Sequence, residues 1–437
     1  MSLGRKLARL EAEGRRPSQK DAAPISAARG TEDADKSAVL GKLRATLAQM
    51  EARGARHRTP RKPPAPVPGE ARETSHGPVQ WVERRYDAEA RHGDAEVGAG
   101  RTASAQALAS VALDPAFREL DVARALYVDT ETTGLAGGAG TVPFLIGFAR
   151  FDAAEFVVEQ CLLRRLGEEA PMLGVLAERI AAASMIVSYN GKSFDWPLLR
   201  TRFVLARVPV PRLPPHLDLL HASRRLFKPR LGRTRLQDME RELLGYERVG
   251  DIDGALIPRV FFDFLKGRDQ GQMADVVRHN QDDLVALAAL LGRLSALAQE
   301  GRDCDAPEDE LAMARVLLRA GEEEGATRFA ERAAAGVSER VGAEAELLLA
   351  QQARRRGDVE ACQRALERAV AIDADEQITA AAHLALAKLH EHKFKDLERA
   401  LRHAHLAEEC EGEEASAYRV ARLERKLASR RAALSRR

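Results

Sequence analysis

The apolar run Ala125-Leu126-Tyr127-Val128 ends on Asp129-Thr130-Glu131-Thr132-Thr133-Gly134. Four apolar residues bounded by polar ones read as a strand. In a strand, residues i and i+2 share a face, so Asp129 and Glu131 can reach one metal ion. Gly134 then lets the chain turn sharply. Two carboxylates on one strand constrain the chain more than any compositional feature does.

Two further acidic motifs follow in order. Asn190-Gly191-Lys192-Ser193-Phe194-Asp195 comes after the apolar strand Met185–Tyr189, and Asp195 opens a helix whose first turn holds Pro197. A plain N-cap is the alternative role for Asp195. His279-Asn280-Gln281-Asp282-Asp283 reads as helical, with His279 and Asp283 on one face at i and i+4. That face continues through Val276, Leu287 and Leu291, which turns the pair inward, with Asp282 as second choice for the acid. His279 is either a satisfied core histidine or, beside a carboxylate, an acceptor for a proton from an attacking water. Four carboxylates from three distant segments suit two Mg²⁺ or Mn²⁺ ions roughly 3.5–4 Å apart. Oxygen ligands of that kind match hard divalent ions.

Length sets the frame for these motifs. A chain of 437 residues implies two or three domains, and 45% hydrophobic content suits globular folding. The four cysteines, Cys161, Cys304, Cys362 and Cys410, are far apart and form no CxxC pair, which argues against a zinc site or a disulfide framework and points to a reducing, cytoplasmic setting. No apolar run of about 18 residues suggests a membrane span, and the first residues show no signal-peptide pattern. Net charge is +2, but residues 1–80 hold 16 Lys and Arg against 9 Asp and Glu. Such a leader either attracts a polyanion without reading it or serves as a solubilising tail.

Three regions follow from the patterning. Residues 1–99 read as a basic, mostly disordered leader, broken by short helices at Leu3–Glu11 and Leu40–Ala48. Residues 100–298 alternate strand and helix: strands at Ala125–Val128, Thr141–Phe151, Glu155–Leu163, Ser184–Tyr189 and Leu217–Leu220, helices at Glu168–Ala183 and Asp195–Val208, then helix to Ala298. Residues 306–437 read as helical repeats, because Phe329–Ala333, Ala365–Ala369 and Ala400–Ala404 start 36 and then 35 residues apart. That period resembles tetratricopeptide repeats, with a capping helix near 414–431. A repeat array offers a concave partner-binding face, and the alternative is a helical lid on the catalytic domain.

Two other segments invite a function. Gly134 to Thr141 is glycine-rich but lacks a Gly-Lys-Ser/Thr ending, which excludes a P-loop. His221, Arg224, Arg225, Lys228, Arg230, Arg233 and Arg235 form a basic cluster that meets phosphates or makes a solvated helix face.

Taken together, the motifs resemble the DEDD 3′–5′ exonuclease superfamily, and within it the YprB-type RNase H-like domain family. The resemblance covers about residues 120–295. Besides the acids it rests on His216–His221, Arg224-Arg225-Leu226, Leu236–Glu240, Asp251–Gly254, Ile257-Pro258 and His279-Asn280. It implies an α/β fold, an RNase H-like mixed sheet flanked by helices, followed by the all-α tetratricopeptide-like region. It also implies Asp129, Glu131, Asp195 and Asp283 as metal ligands for two ions, with Asp129 near both. The third motif departs from both major subclasses: it combines the spacing of the Tyr-type with the histidine of the other. His279 is then a general base or a water-orienting group.

The expected activity is therefore metal-dependent 3′–5′ trimming of single-stranded or frayed DNA or RNA to nucleoside monophosphates. Thr132, Leu135, Asn190, Arg224 and Arg225 are the expected nucleic-acid contacts, with Leu135 wedged against a terminal base. The alternatives are an RNase H-like module that binds nucleic acid without cutting it, and a repeat domain that recruits a protein partner.

Overall fold

The computed structural model describes residues 66–134, 140–300 and 306–434. Seven strands form one mixed sheet: β1 (Glu70–Thr74), β2 (Gly77–Asp87), β5 (Ala125–Thr132), β6 (Pro143–Asp152), β7 (Glu155–Leu162), β8 (Met185–Ser188) and β9 (His216–Asp218). Their order is β1-β2-β7-β6-β5-β8-β9, while β3 (Arg91–His92) and β4 (Ala95–Glu96) pair separately. Strand β5 runs antiparallel to β6 and parallel to β8. Its apolar start pairs with both neighbours, whereas its acidic end, from Asp129 onward, pairs with β6 and lies just past the last β8 pair at Tyr127. Seven helices accompany the sheet: α1 (Ala105–Ala112), α2 (Ala170–Ala182), α3 (Asp195–Leu205), α4 (Leu219–Leu231), α5 (Leu236–Leu243), α6 (Ile257–Leu265) and α7 (Gln272–Glu300). This is an RNase H-like arrangement, a mixed sheet flanked by helices and followed by an all-helical region.

Alternation on the strands builds two cores. Tyr127, Ala149, Val158 and Val187 pack with Leu284, Leu287 and Leu291 of α7. Leu126, Val128, Phe148 and Ile186 pack on the other face with Leu173 and Leu176 of α2 and Phe203 of α3. The period-two pattern of a strand with both faces covered produces this division.

The leader differs from expectation. A mostly disordered leader is expected to residue 99, yet from Glu70 onward it adds strands to the sheet edge. β2 pairs with β7 from Gln80↔Leu162 to Asp87↔Glu155. Only Val79, Gln80 and Trp81 of β2 are buried, so the local apolar pattern is short, and the partner backbone supplies the rest. The two short leader helices expected at 3–11 and 40–48 lie outside the described residues. A smaller difference concerns β9, which stops at Asp218 rather than Leu220. The Asp218 carboxylate accepts from Leu220 N at 3.1 Å and starts α4.

The C-terminal region pairs α8 (Pro307–Ala320) with α9 (Glu323–Ala335), α10 (Glu339–Arg356) with α11 (Val359–Ile372), and α12 (Glu376–Leu389) with α13 (Leu397–His405). A short α14 (Glu408–Glu411) precedes α15 (Glu413–Leu434). Gly321 and Gly357, at φ +83° and +77°, end α8 and α10. The first two pairs are tied alike: Arg332 to Glu310 at 2.7 Å and Arg368 to Glu346 at 2.6 Å. In the third pair His383 and His403 take that place, with Nδ1 atoms 3.0 Å apart. Packing does not break at 306, because Leu311, Leu317 and Phe329 belong to the same core as Tyr127. Arg230 of α4 reaches Asp309 of α8 at 2.7 Å across that junction. Among the described residues, no helix is long and apolar enough to cross a membrane.

Candidate active site

Asp129 stands in a row with Gly147 of β6 and Gln160 of β7. A side chain at position 147 would collide with α7: a Cβ there would lie 2.0 Å from Asn280 Oδ1. The missing side chain lets Asn280 drop onto the sheet and donate from Nδ2 to Asp129 Oδ2 at 2.7 Å. Gln160 Nε2 donates to Asn280 Oδ1 at 2.8 Å, and Gln281 Nε2 donates to Gln160 Oε1 at 2.8 Å. A chain of buried amides thus fixes the orientation of Asp129, because each member leaves the next one group to satisfy.

Asp195 arrives from α3. The N-cap position is Phe194, whose side chain makes no cap bond, so Asp195 is the first helical residue rather than a cap. Its carboxylate accepts from Thr130 Oγ1 on β5. The loop before it is held by Asp218, which accepts from Asn190 N at 2.8 Å and Lys192 N at 3.1 Å. Asn190 itself sits in the left-handed region at φ +66°, a conformation Asn tolerates better than most residues.

Asp283 arrives from α7, and its carboxylate accepts from Arg248 Nη2. His279, one turn earlier, has Nε2 3.9 Å from Asp283 Oδ2. Its Nδ1 lies 2.8 Å from both oxygens of Asp251. Burial pushes the Asp251 carboxyl up, but His279 and Arg248 hold it below the usual carboxylate range. An ionised carboxylate only accepts, so Nδ1 carries the hydrogen and Nε2 faces Asp283. Arg248 also binds Glu240 at 2.9 Å and Asp251 at 3.2 Å. Glu240 in turn meets the buried His92 at 2.8 Å.

The electrostatics show a cluster short of positive charge. Burial, then Asp283, Glu131 and Asp195, push the Asp129 carboxyl well above its ordinary range. Burial raises Glu131 to about 8 despite the opposing charge of His279. Burial raises Asp195 to about 6, against the Thr130 hydrogen bond. His279 is itself raised: burial works against its charge, but Asp283, Glu131 and Asp251 outweigh it. Buried acids that repel one another bind a cation favourably. The all-oxygen, anionic donor set fits Mg²⁺ or Mn²⁺. Among the described residues no three acidic, His or Cys side chains close around a single cation position. Three of the four acids are engaged by Asn280, Thr130 and Arg248.

The structure therefore brings Asp129, Glu131, Asp195, His279 and Asp283 together. Asp282, the second choice on α7, faces a different cavity with Tyr86, His92 and Tyr246. The expected nucleic-acid contacts fare less uniformly. Thr132 is buried, and its Oγ1 donates to Gly134 O at 3.0 Å, so it holds the turn instead of reaching a ligand. Arg225 donates to Val111 O at 2.6 Å and packs against α1, which makes it a structural residue. Arg230 is likewise committed to Asp309. Asn190 and Arg224 are exposed. Leu135 lies outside the described residues. Asn280, Gly147, Gln160, Arg248, Asp251 and Glu240 were not expected at the site. Asn280, Glu240 and Asp251 do fall in the segments that carry the resemblance, which was the available signal.

Residues 126–295 match the RNase_H superfamily model, so this chain contains a domain of that superfamily. The chain is also similar to the uncharacterized protein YprB of Bacillus subtilis (strain 168), 37% identical over 209 residues, which is 47% of this chain and 50% of that protein. The chain thus spans about half the length of the curated relative it matches.

Proposed function

We propose that this domain is a two-metal-ion 3′–5′ exonuclease. It would hydrolyse phosphodiester bonds of single-stranded or frayed nucleic acid to nucleoside monophosphates, in the cytoplasm. The observation that carries this is the convergence of Asp129, Glu131, Asp195 and Asp283 from β5, α3 and α7, with raised proton affinity at the first three. Those four residues would hold Mg²⁺ or Mn²⁺. Bound ions of this kind acidify a water and neutralise a leaving oxygen. The chain's own residues do the rest. Asp251 fixes the His279 tautomer so that Nε2 can accept the proton of the attacking water. Asn280 holds Asp129 at a set orientation, which preserves the geometry on which in-line attack depends.

The test is a time course on 5′-labelled single-stranded DNA and RNA with Mg²⁺, Mn²⁺ or EDTA. A metal-dependent ladder shortening from the 3′ end, absent in Asp129→Ala, is expected. Asp195→Asn with full metal-dependent activity would sink the assignment. The engagement of three acids by Asn280, Thr130 and Arg248 favours a second reading, a module that binds nucleic acid without cutting it. Intact substrate retained on a native gel in every lane would select that reading.

For the helical region we propose tetratricopeptide-like repeats that recruit a protein partner. The support is the 36-residue recurrence of the Arg–Glu ties and a 1230 Å³ groove lined by Leu347, Leu366, Leu384 and Lys388. Substituting groove residues such as Leu384 tests recruitment better than removing residues 306–437, because that deletion would open the shared core.

A further inference from the structure

A second cavity of 310 Å³ lies beside the acid centre, walled by β2, β3, α7 and the segment that carries Tyr246 and Arg248. Its size is at the lower end of small-ligand pockets, roughly 300–1,000 Å³. Arg248 borders both spaces, since its guanidinium also reaches Asp283. Asp282 precedes Asp283 by one residue, or about 100° of helix, and so faces this cavity instead of the acid centre.

The charges of the wall are unevenly satisfied. Arg248 is saturated by Glu240, Asp251 and Asp283. Arg278 pairs with Asp275 at 3.0 Å, and Arg91 with Glu96 at 3.7 Å. Among the described residues the Asp282 carboxylate makes no hydrogen bond or ion pair, and Arg84 meets no carboxylate, lying instead over the Tyr86 ring at 5.2 Å. Tyr246 lines the same cavity, one face covered by His92 at 3.9 Å between ring centres. One unpaired acceptor, one unpaired cation and half-buried aromatic rings form the complement of a nucleotide.

We propose that this cavity is a guanine-selective nucleotide subsite. The Asp282 carboxylate accepts from the base, Tyr246 lies against the base plane, and Arg84 meets the phosphate. The base identity follows from donor counting. A carboxylate offers two parallel acceptors, and guanine is the base that presents two adjacent N–H donors on its Watson–Crick edge. Adenine and cytosine place a ring acceptor beside their amino group, and uracil flanks one N–H with two carbonyls. Base–aromatic stacking adds affinity without selecting among bases. The role of the subsite, holding a strand whose end lies at the acid centre, rests on the nuclease reading; the binding itself does not.

The experiment is calorimetric titration of the full chain with 5′-GMP, 5′-AMP, 5′-CMP and 5′-UMP in EDTA. GMP is expected to bind at least tenfold more tightly than the others. Asp282→Asn should erase that preference, and Arg84→Ala, on the exposed strand, should weaken all four nucleotides alike. Asp129→Ala should leave GMP binding unchanged. Equal affinities, no saturable GMP binding, or a preference that survives Asp282→Asn would overturn the proposal. Because EDTA removes hydrolysis from the assay, failure of the nuclease reading would show only in the labelled-strand time course.

Discussion

Replacing Glu131 with Gln should make the metal-free protein more stable at pH 8, the reverse of what loss of an active-site residue usually suggests. Glu131 moves from an ordinary 4.5 to about 8 in the folded chain. Between those values the folded state keeps a proton that the unfolded chain has released, so stability falls as pH rises and the loss is complete above about pH 8. At about 1.4 kcal/mol per decade the cost approaches 5 kcal/mol. Asp195, raised from 3.8 to about 6, adds a fall over a lower pH window, complete above about pH 6. The two acids repel through the same cluster, so their costs overlap. The sheet domain should therefore melt lower by roughly 10–20 °C in EDTA at pH 8.5 than at pH 5, at about 2–4 °C per kcal/mol for a domain of this size. Both tryptophans, Trp81 and Trp196, lie in the sheet region, so tryptophan fluorescence follows its melting without signal from the helices after 306. Mg²⁺ or Mn²⁺ should restore the lost stability by binding only the folded form. Glu131→Gln should flatten part of the pH slope, the remainder coming from Asp129, Asp195 and His279, which are raised as well. A wild-type melt that stays level or rises from pH 5 to 8.5, or an unchanged slope in Glu131→Gln, would refute the reasoning.

Other substitutions probe separate supports. Gly147→Ala should push Asn280 off Asp129 and cost roughly 1–3 kcal/mol in a urea melt; a neutral result would show that α7 gives way easily. Arg248→Met leaves Glu240, 1% exposed, facing His92 alone, and should cost about 3–5 kcal/mol by the same assay, as removal of one member of a buried pair does. His279→Ala should lower kcat about 10²–10⁴-fold with KM little changed, measured on a labelled strand in Mn²⁺. Asp251→Asn, which leaves the imidazole in place but changes its partner, should shift the pH profile of kcat; an unmoved profile would remove Asp251 from the proton path.

Sequence alone carried a good deal of this. The apolar run before Asp129, the i, i+2 pair on a strand and the i, i+4 pair on a helix are local periodicities, and they place acids on faces whatever the rest of the chain does. The near-36-residue repeat is local in the same sense. Long-range packing decided the remainder. β2 exists as a strand because β7 offers it an edge, which its own short apolar pattern does not announce. Arg225 looked like a phosphate ligand in a basic run, but helix geometry turns it towards Val111. Helical period already ranks Asp283 above Asp282, but only the packing around α7 gives Asp282 a cavity of its own beside the acid centre. Gly147 reads as an ordinary strand residue until Asn280 is seen above it, 133 positions later in the chain. The sequence determined which groups could do chemistry, because residue type and local period are enough for that. The tertiary structure decided which of them meet, because a contact between distant segments depends on how sheet and helices pack.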